Sequence, residues 1–256
     1  MNDSQQSWSA RPQHVTLSEN EVHAWKTPLT ASEGEYIALQ QVLSPDERER
    51  AQRFYFEKDR RRWTIAHGVL RILLARYLNT DTHELKFVTN EYGKPALAPP
   101  LSGTGLQFNL SHSAELALYA FTYQRQIGID VEYMRLDIEW EPLARSHFSP
   151  SEYVSLKALP SALQAEAFFL CWSRKESYIK AKGRGLSIPL DQFDVSLVPG
   201  EPAALLDSRE EVQVTAHWSL HNLEPGNGYA GALTVEGFDW DLRCWQWRED
   251  ENRTTW

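Results

Sequence analysis

Cysteine is scarce in this chain: Cys171 and Cys244 are the only two among 256 residues. Two are too few for a disulfide framework, and both lie in apolar surroundings, so they are expected to be reduced core residues of an intracellular protein. Long apolar runs are missing too. Nothing approaches the roughly 18 continuous apolar residues of a membrane helix, and Met1 to Glu19 is too polar for a secretory leader. A cytoplasmic location away from membranes is therefore expected. The chain has no excess of positive charge. A formal net charge of −9 and a pI near 5.4 argue against a surface built to bind nucleic acid or anionic lipid. Two motifs are absent as well. Gly183-Arg184-Gly185 follows a helical stretch and lacks the third glycine of a dinucleotide fingerprint, so it reads as a helix stop. No Gly-x-Ser-x-Gly elbow surrounds Ser111, and Ser111-His112 are sequence neighbours, which rarely form a nucleophile and its base.

What remains has the composition of a globular protein, 42% hydrophobic and 24% charged. Its length allows one large domain or two ordinary ones. Residues 1–18 read as a flexible tail, and Val22, Ala24 and Trp25 begin a first strand before a loop at Thr27-Pro28. Ser44-Pro45-Asp46-Glu47 is a helix start with a serine cap, a proline at the first position and a glutamate closing a capping box. From Arg60 to Leu78 apolar residues recur at helical spacing, and strands are expected at 85–89 and 106–110. Residues 116–123 and 126–133 read as an antiparallel hairpin turning through Gln124-Arg125. The plan then restarts: Ser149-Pro150-Ser151-Glu152 repeats the cap, a long helix is expected over 162–182, and strands over 193–197, 212–220, 229–235 and 242–247. Helix-then-strands in each part predicts an α+β fold of two similar halves, residues 19–135 and 136–256, each a long helix packed on an antiparallel-type sheet, arranged as an intramolecular pseudo-dimer.

The chemistry concentrates in a few places. In Gly128-Ile129-Asp130-Val131-Glu132 the alternation puts Asp130 and Glu132 on one side of a strand. Two carboxylates so close repel each other unless a cation lies between them. In Trp172-Ser173-Arg174-Lys175-Glu176-Ser177-Tyr178-Ile179-Lys180, Glu176 and Lys180 stand one helical turn apart, on a face with Trp172 and Ser173. Oxygen donors without His or Cys suit a hard cation, Mg²⁺ or alternatively Mn²⁺, and not zinc. Between Glu47 and Arg62 seven basic residues meet four acidic ones, a local cationic patch able to hold phosphate.

Taken in order, Phe108-Asn109-Leu110-Ser111-His112-Ser113, then Ile127 to Glu132, then Trp172 to Lys180 resemble the signatures of the Sfp-type 4′-phosphopantetheinyl transferases. Tyr92-Gly93-Lys94-Pro95 and Arg53-Phe54-Tyr55 are similar to further family features. The resemblance covers about residues 40 to 200. It implies two similar α/β halves with coenzyme A between them, and a holo-[acyl-carrier-protein] synthase activity. The 4′-phosphopantetheine arm of coenzyme A would pass to a serine of an apo acyl, peptidyl or aryl carrier protein of fatty acid, polyketide or non-ribosomal peptide synthesis, releasing 3′,5′-ADP. By the same resemblance Asp130, Glu132 and Glu176 match metal ligands, Glu176 matches a general base, and Lys180 matches a pyrophosphate contact. His112, beside Ser111, matches a 3′-phosphate ligand, and Lys94 and Pro95 match a loop beside the adenine. Arg50 falls on a basic phosphate-contacting position. Glu47 stands where some members carry lysine, which brings Arg53, Arg61 and Arg62 forward as substitutes. Family members with both halves on one chain act as monomers. Two rival classes fit parts of the pattern: a metal-dependent phosphodiesterase or nuclease, and a non-catalytic coenzyme A or carrier-protein binding module. The acidic pI weighs against nucleic acid, and a binding module would not need both Glu176 and Lys180.

Overall fold

In the computed structural model, residues 7–135, 137–210 and 213–247 are described. The N-terminal half contributes β1 (Ser9–Ala10), β2 (Glu21–Pro28), α1 (Glu33–Val42), α2 (Pro45–Gln52) and α3 (Glu57–Leu78). It continues with β3 (Phe87–Thr89), β4 (Pro95–Leu97), β5 (Leu106–Ser113), β6 (Leu116–Tyr123) and β7 (Ile127–Tyr133). The C-terminal half adds α4 (Trp140–His147), α5 (Pro150–Ala158), α6 (Ser161–Lys182), β8 (Phe193–Val195) and β9 (Leu205–Ser208). It ends with β10 (Trp218–Leu223), β11 (Tyr229–Glu236) and β12 (Asp241–Gln246).

The two halves repeat each other in chemistry as well as in outline. Ser44 and Ser149 both form complete capping boxes, with Glu47 and Glu152 at the third helical position. Each glutamate then reaches a buried cation on the following 22-residue helix. Glu47 bonds Arg71 at 2.5 Å, and Glu152 bonds Lys175 at 2.8 Å. The remaining donors on those cations are satisfied by carbonyls: Thr82 and Leu85 for Arg71, Leu190 and Phe193 for Lys175. Burying a charge is tolerated only when it is paired and hydrogen-bonded in this way. The α+β pseudo-dimer expected from the sequence is what the chain forms.

Two sheets carry the molecule. One runs β1-β12-β2-β6-β5 and the other β10-β11-β7. α3 covers the outer face of the first over Trp25, Tyr119 and Phe121, and α6 covers the second over Trp218, Leu220 and Ala230. Between the sheets Val22, Leu118, Ala120, Ile129, Val131 and Leu233 form a shared apolar layer. The order is therefore helix, sheet, sheet, helix.

Strand pairing departs from the sequence-based expectation in three ways. β6 and β7 do not form a hairpin: β6 pairs with β2 and β5, whereas β7 crosses to pair with β11. Gly128 lets α6 pack closely on β7, where a Cβ would stand 2.1 Å from the Ser177 carbonyl oxygen. Second, β12 returns to the first sheet, parallel to β2, so that sheet is not purely antiparallel. Third, the strand expected over 212–220 begins only at Trp218, after a short 3₁₀ turn at Val214–Ala216; residues 211–212 lie outside the described residues. β2 also runs through Thr27 to Pro28, where a loop was expected. Of the expected N-terminal tail, residues 1–6 are outside the described set, while Ser9–Ala10 pair with Trp245–Gln246 and Leu17 is buried. Cys171 and Cys244 are both buried.

Candidate active site

The site lies on the seam where β5, β7 and α6 meet. α6 is buried on nearly every side from Ala167 onward, including Arg174 and Lys175, and the half-buried positions Trp172, Glu176 and Lys180 follow one another at four-residue steps. This leaves an open stripe whose Glu176–Lys180 end faces β7, while Trp172 packs on His147 and Phe148. Ser173, expected on the same face, is buried and donates to the Leu170 carbonyl.

Lys180 donates to Asp130 Oδ1 at 2.6 Å and to Ser111 Oγ at 3.0 Å, while the Ser111 hydroxyl donates to Asp130 Oδ1 at 2.9 Å. The other oxygen, Asp130 Oδ2, is buried and has no hydrogen-bond partner. Beside it, loss of solvent and then the Asp130 charge push the Glu132 carboxyl up to about 7. Glu176 is raised for the same two reasons in the same order. Burial works against the Lys180 ammonium, yet Asp130, Glu176 and Glu132 together hold its pKa above the ordinary value. Three carboxylates facing one ammonium leave an excess of negative charge in a poorly solvated place.

The cationic residues divide. Arg50 lies over the Trp63 ring, on whose other contacts His67 is stacked, and pocket residues Arg50, Arg53 and Phe54 line a cavity of about 440 Å³. His112 projects from β5, its pKa lowered by burial and by the charges of Lys180 and Arg62. Arg53 pairs with Glu49 on the surface. Arg61 turns to Glu33 and covers the Tyr36 ring, and Arg62 pairs with Glu115 and Asp59. Lys94 bridges the halves: its ammonium donates to the carbonyls of Ile127 and Ala181, both at 3.1 Å, and burial lowers its pKa to about 8. Pro95 opens β4, and the turn before it is closed by Asn90 Oδ1, which accepts from the amides of Tyr92 and Lys94. Asn109 and Ser113, which the sequence reading passed over, face the same seam as Ser111. Their Asn-x-Ser-x-Ser alternation along a strand was the available clue.

Among the described residues, no group of three or more His, Cys, Asp or Glu side chains is arranged to hold a metal ion, and no helix is long and apolar enough to cross a membrane.

The sequence matches two family models end to end. The 4′-phosphopantetheinyl transferase superfamily model matches residues 126–234, and a 4′-phosphopantetheinyl transferase N-terminal model matches residues 24–124. The chain belongs to the 4′-phosphopantetheinyl transferase superfamily, and its activity is transfer of phosphopantetheine from coenzyme A to carrier proteins. Among individual relatives, it is 41% identical over 243 residues to the 4′-phosphopantetheinyl transferase HetI of Nostoc sp., covering 95% of this chain and 99% of that one. It is 38% identical over 171 residues to the transferase Sfp of Bacillus subtilis, covering 66% of this chain and 72% of that one. A human relative, L-aminoadipate-semialdehyde dehydrogenase-phosphopantetheinyl transferase, is 28% identical over 178 residues, 66% of this chain and 57% of its own.

Proposed function

We infer that Asp130, Glu132 and Glu176 hold one divalent cation, Mg²⁺ or else Mn²⁺, and that Lys180, His112 and the Arg50 region bind coenzyme A across the seam. Asp130, Glu132 and Glu176 are not gathered into a ligand group in this structure; the reading is carried by the Asp130 carboxylate, with one oxygen fixed by Lys180 and Ser111 and the other buried without a partner. A buried, unpaired carboxylate oxygen is costly and fits a cation. The mutual repulsion that raises Glu132 and Glu176 supports the same donor set. When bound, such an ion would offset charge on the pyrophosphate oxygens.

The chain's own residues would do the rest. The carrier serine Oγ attacks the phosphorus that bears the pantetheine, and the bond from that phosphorus to the departing 3′,5′-ADP breaks. Glu176, held at a raised pKa, takes the hydroxyl proton. Lys180 keeps its charge and stabilises the departing phosphate oxygens. His112, Arg50 and their neighbours offer donors to the 3′-phosphate, and the Lys94-Pro95 turn lies beside the adenine. We further propose that the protein acts as a cytoplasmic monomer on apo acyl, peptidyl or aryl carriers. Mass spectrometry of apo carriers after incubation with the protein, coenzyme A and Mg²⁺ should show the added phosphopantetheine, lost on chelation. Carriers that stay unmodified here but are modified by another member of the family would overturn the reading.

A further inference from the structure

β5 and β7 are neighbours on the seam, yet they share no backbone ladder. The β7 amides that point across would be stranded in the interior, since Ile129 and Val131 are essentially inaccessible. Side chains take them instead. Ile129 N–H donates to Asn109 Oδ1 at 2.8 Å, Val131 N–H to Ser111 Oγ at 3.4 Å, and Tyr133 N–H to Ser113 Oγ at 3.1 Å. Asn109, Ser111 and Ser113 are alternate residues of one strand, so they present three acceptors at the repeat of the amides opposite. The two hydroxyls then use their protons on the acidic residues between those amides: Ser111 donates to Asp130, and Ser113 donates to Glu132 Oε2 at 3.1 Å.

We propose that Asn109 and Ser113 are positioning residues that set Asp130 and Glu132 at a fixed height across the seam between the two sheets. Each serine joins a backbone amide and the neighbouring carboxylate through a single oxygen, so the strand and its acid move together. Asn109 anchors the buried end of the ladder at Ile129, and Ser113 closes its open end at Tyr133. A true strand pairing could fix β7, but it would leave no proton donors for the carboxylates. A hydroxyl both accepts and donates, and so does both. This extends the carboxylate-site reading above and rests on it.

The test compares Ser113→Ala, Ser113→Thr and Asn109→Ala with Asp130→Ala, reading turnover, the KM for coenzyme A, thermal melts and Mn²⁺ binding by electron paramagnetic resonance. Ser113→Ala should lower kcat about tenfold and weaken Mn²⁺ binding severalfold, with the KM for coenzyme A and the melting temperature near those of the parent. Ser113→Thr, which keeps the hydroxyl, should restore both. Should Asn109→Ala fail to fold, Ser113 at the half-buried end still decides the matter. Normal turnover and Mn²⁺ binding in Ser113→Ala beside an inactive Asp130→Ala would overturn the positioning role alone. So would a Ser113→Thr as impaired as Ser113→Ala. An active Asp130→Ala would remove the carboxylate site and the ladder's role with it.

Discussion

At the scale of single residues, Glu176 and Lys180 share a helical stripe but have different environments, and their variants should differ accordingly. Glu176→Gln keeps the shape and loses charge and basicity. Turnover should drop about a hundredfold or more, with little change in the KM for coenzyme A. Lys180→Ala removes the only direct cation on Asp130 among the described residues and a donor to phosphate, so it should raise KM as well as lower kcat. Steady-state kinetics with melts as a control separates these outcomes from a surface ion pair, whose loss would cost under about 1 kcal/mol and leave both variants active. His67 makes a separate, pH-dependent prediction. Burial depresses its pKa to about 3, against an ordinary 6.5. Between those values the unfolded chain takes up a proton that the folded protein refuses, so stability falls as pH drops below about 6.5. His67→Phe keeps the ring on Trp63 and removes the titration. Its melting temperature should decline less between pH 6.5 and 5 than the parent's, while His23, lowered to about 4 by burial, preserves part of the slope. An unchanged slope would place the proton uptake elsewhere.

Among the elements, the contact between α6 and β7 sets the geometry of the site, and Gly128 sets the contact. A methyl at this position would meet the Ser177 carbonyl oxygen at 2.1 Å and the Ala181 nitrogen at 2.3 Å, both on the helix backbone, so helix and strand could not keep their present spacing. Gly128→Ala should therefore destabilise the protein by roughly 3 kcal/mol or more. The helix would be pushed away, moving Lys180 from Asp130, so activity should fall even at temperatures where the variant stays folded. Calorimetry and a transfer assay on the same sample check both parts. A variant with the parent's melting temperature would show that helix and strand can part at this point without cost.

Across the whole molecule, the two halves are not independent modules. β12 follows the last strand of the C-terminal sheet, yet it inserts between β1 and β2 of the N-terminal one. Lys94 and Asn90 in turn reach from the first half to the end of α6, where Asn90 Nδ2 donates to the Gly183 carbonyl. Deleting residues 237–256 should therefore uncover the β2 edge and part of the first core around Trp25, although the superfamily match ends at residue 234. The truncated chain should aggregate or lose its cooperative melt. Retention of a sharp transition and of activity would show that the return strand is dispensable.

Much of this protein can be read from local pattern, because the forces involved are local. Two Ser-Pro capping boxes, two long helices and the alternation around Asp130 follow from backbone valence and from the periods of helix and strand. Three ordered motifs were enough to name the family, since each keeps its chemistry within a few residues. The sequence by itself thus determined the α+β repeat, the acidic strand and the Glu176–Lys180 stripe. Tertiary structure alone decided the partners. Nothing local shows that β7 leaves β6 for β11, because an alternating apolar strand pairs equally well with any neighbour that buries the same face. Nor does the basic run reveal which arginines turn toward the seam. Arg61 is drawn to Glu33 and Tyr36, and Arg50 to Trp63, by residues brought near only when the chain folds back on itself. The same holds for Asn109 and Ser113. Their role exists only because two sheets meet at an edge where no backbone group is left to accept, and a sequence carries no record of which of its edges will meet.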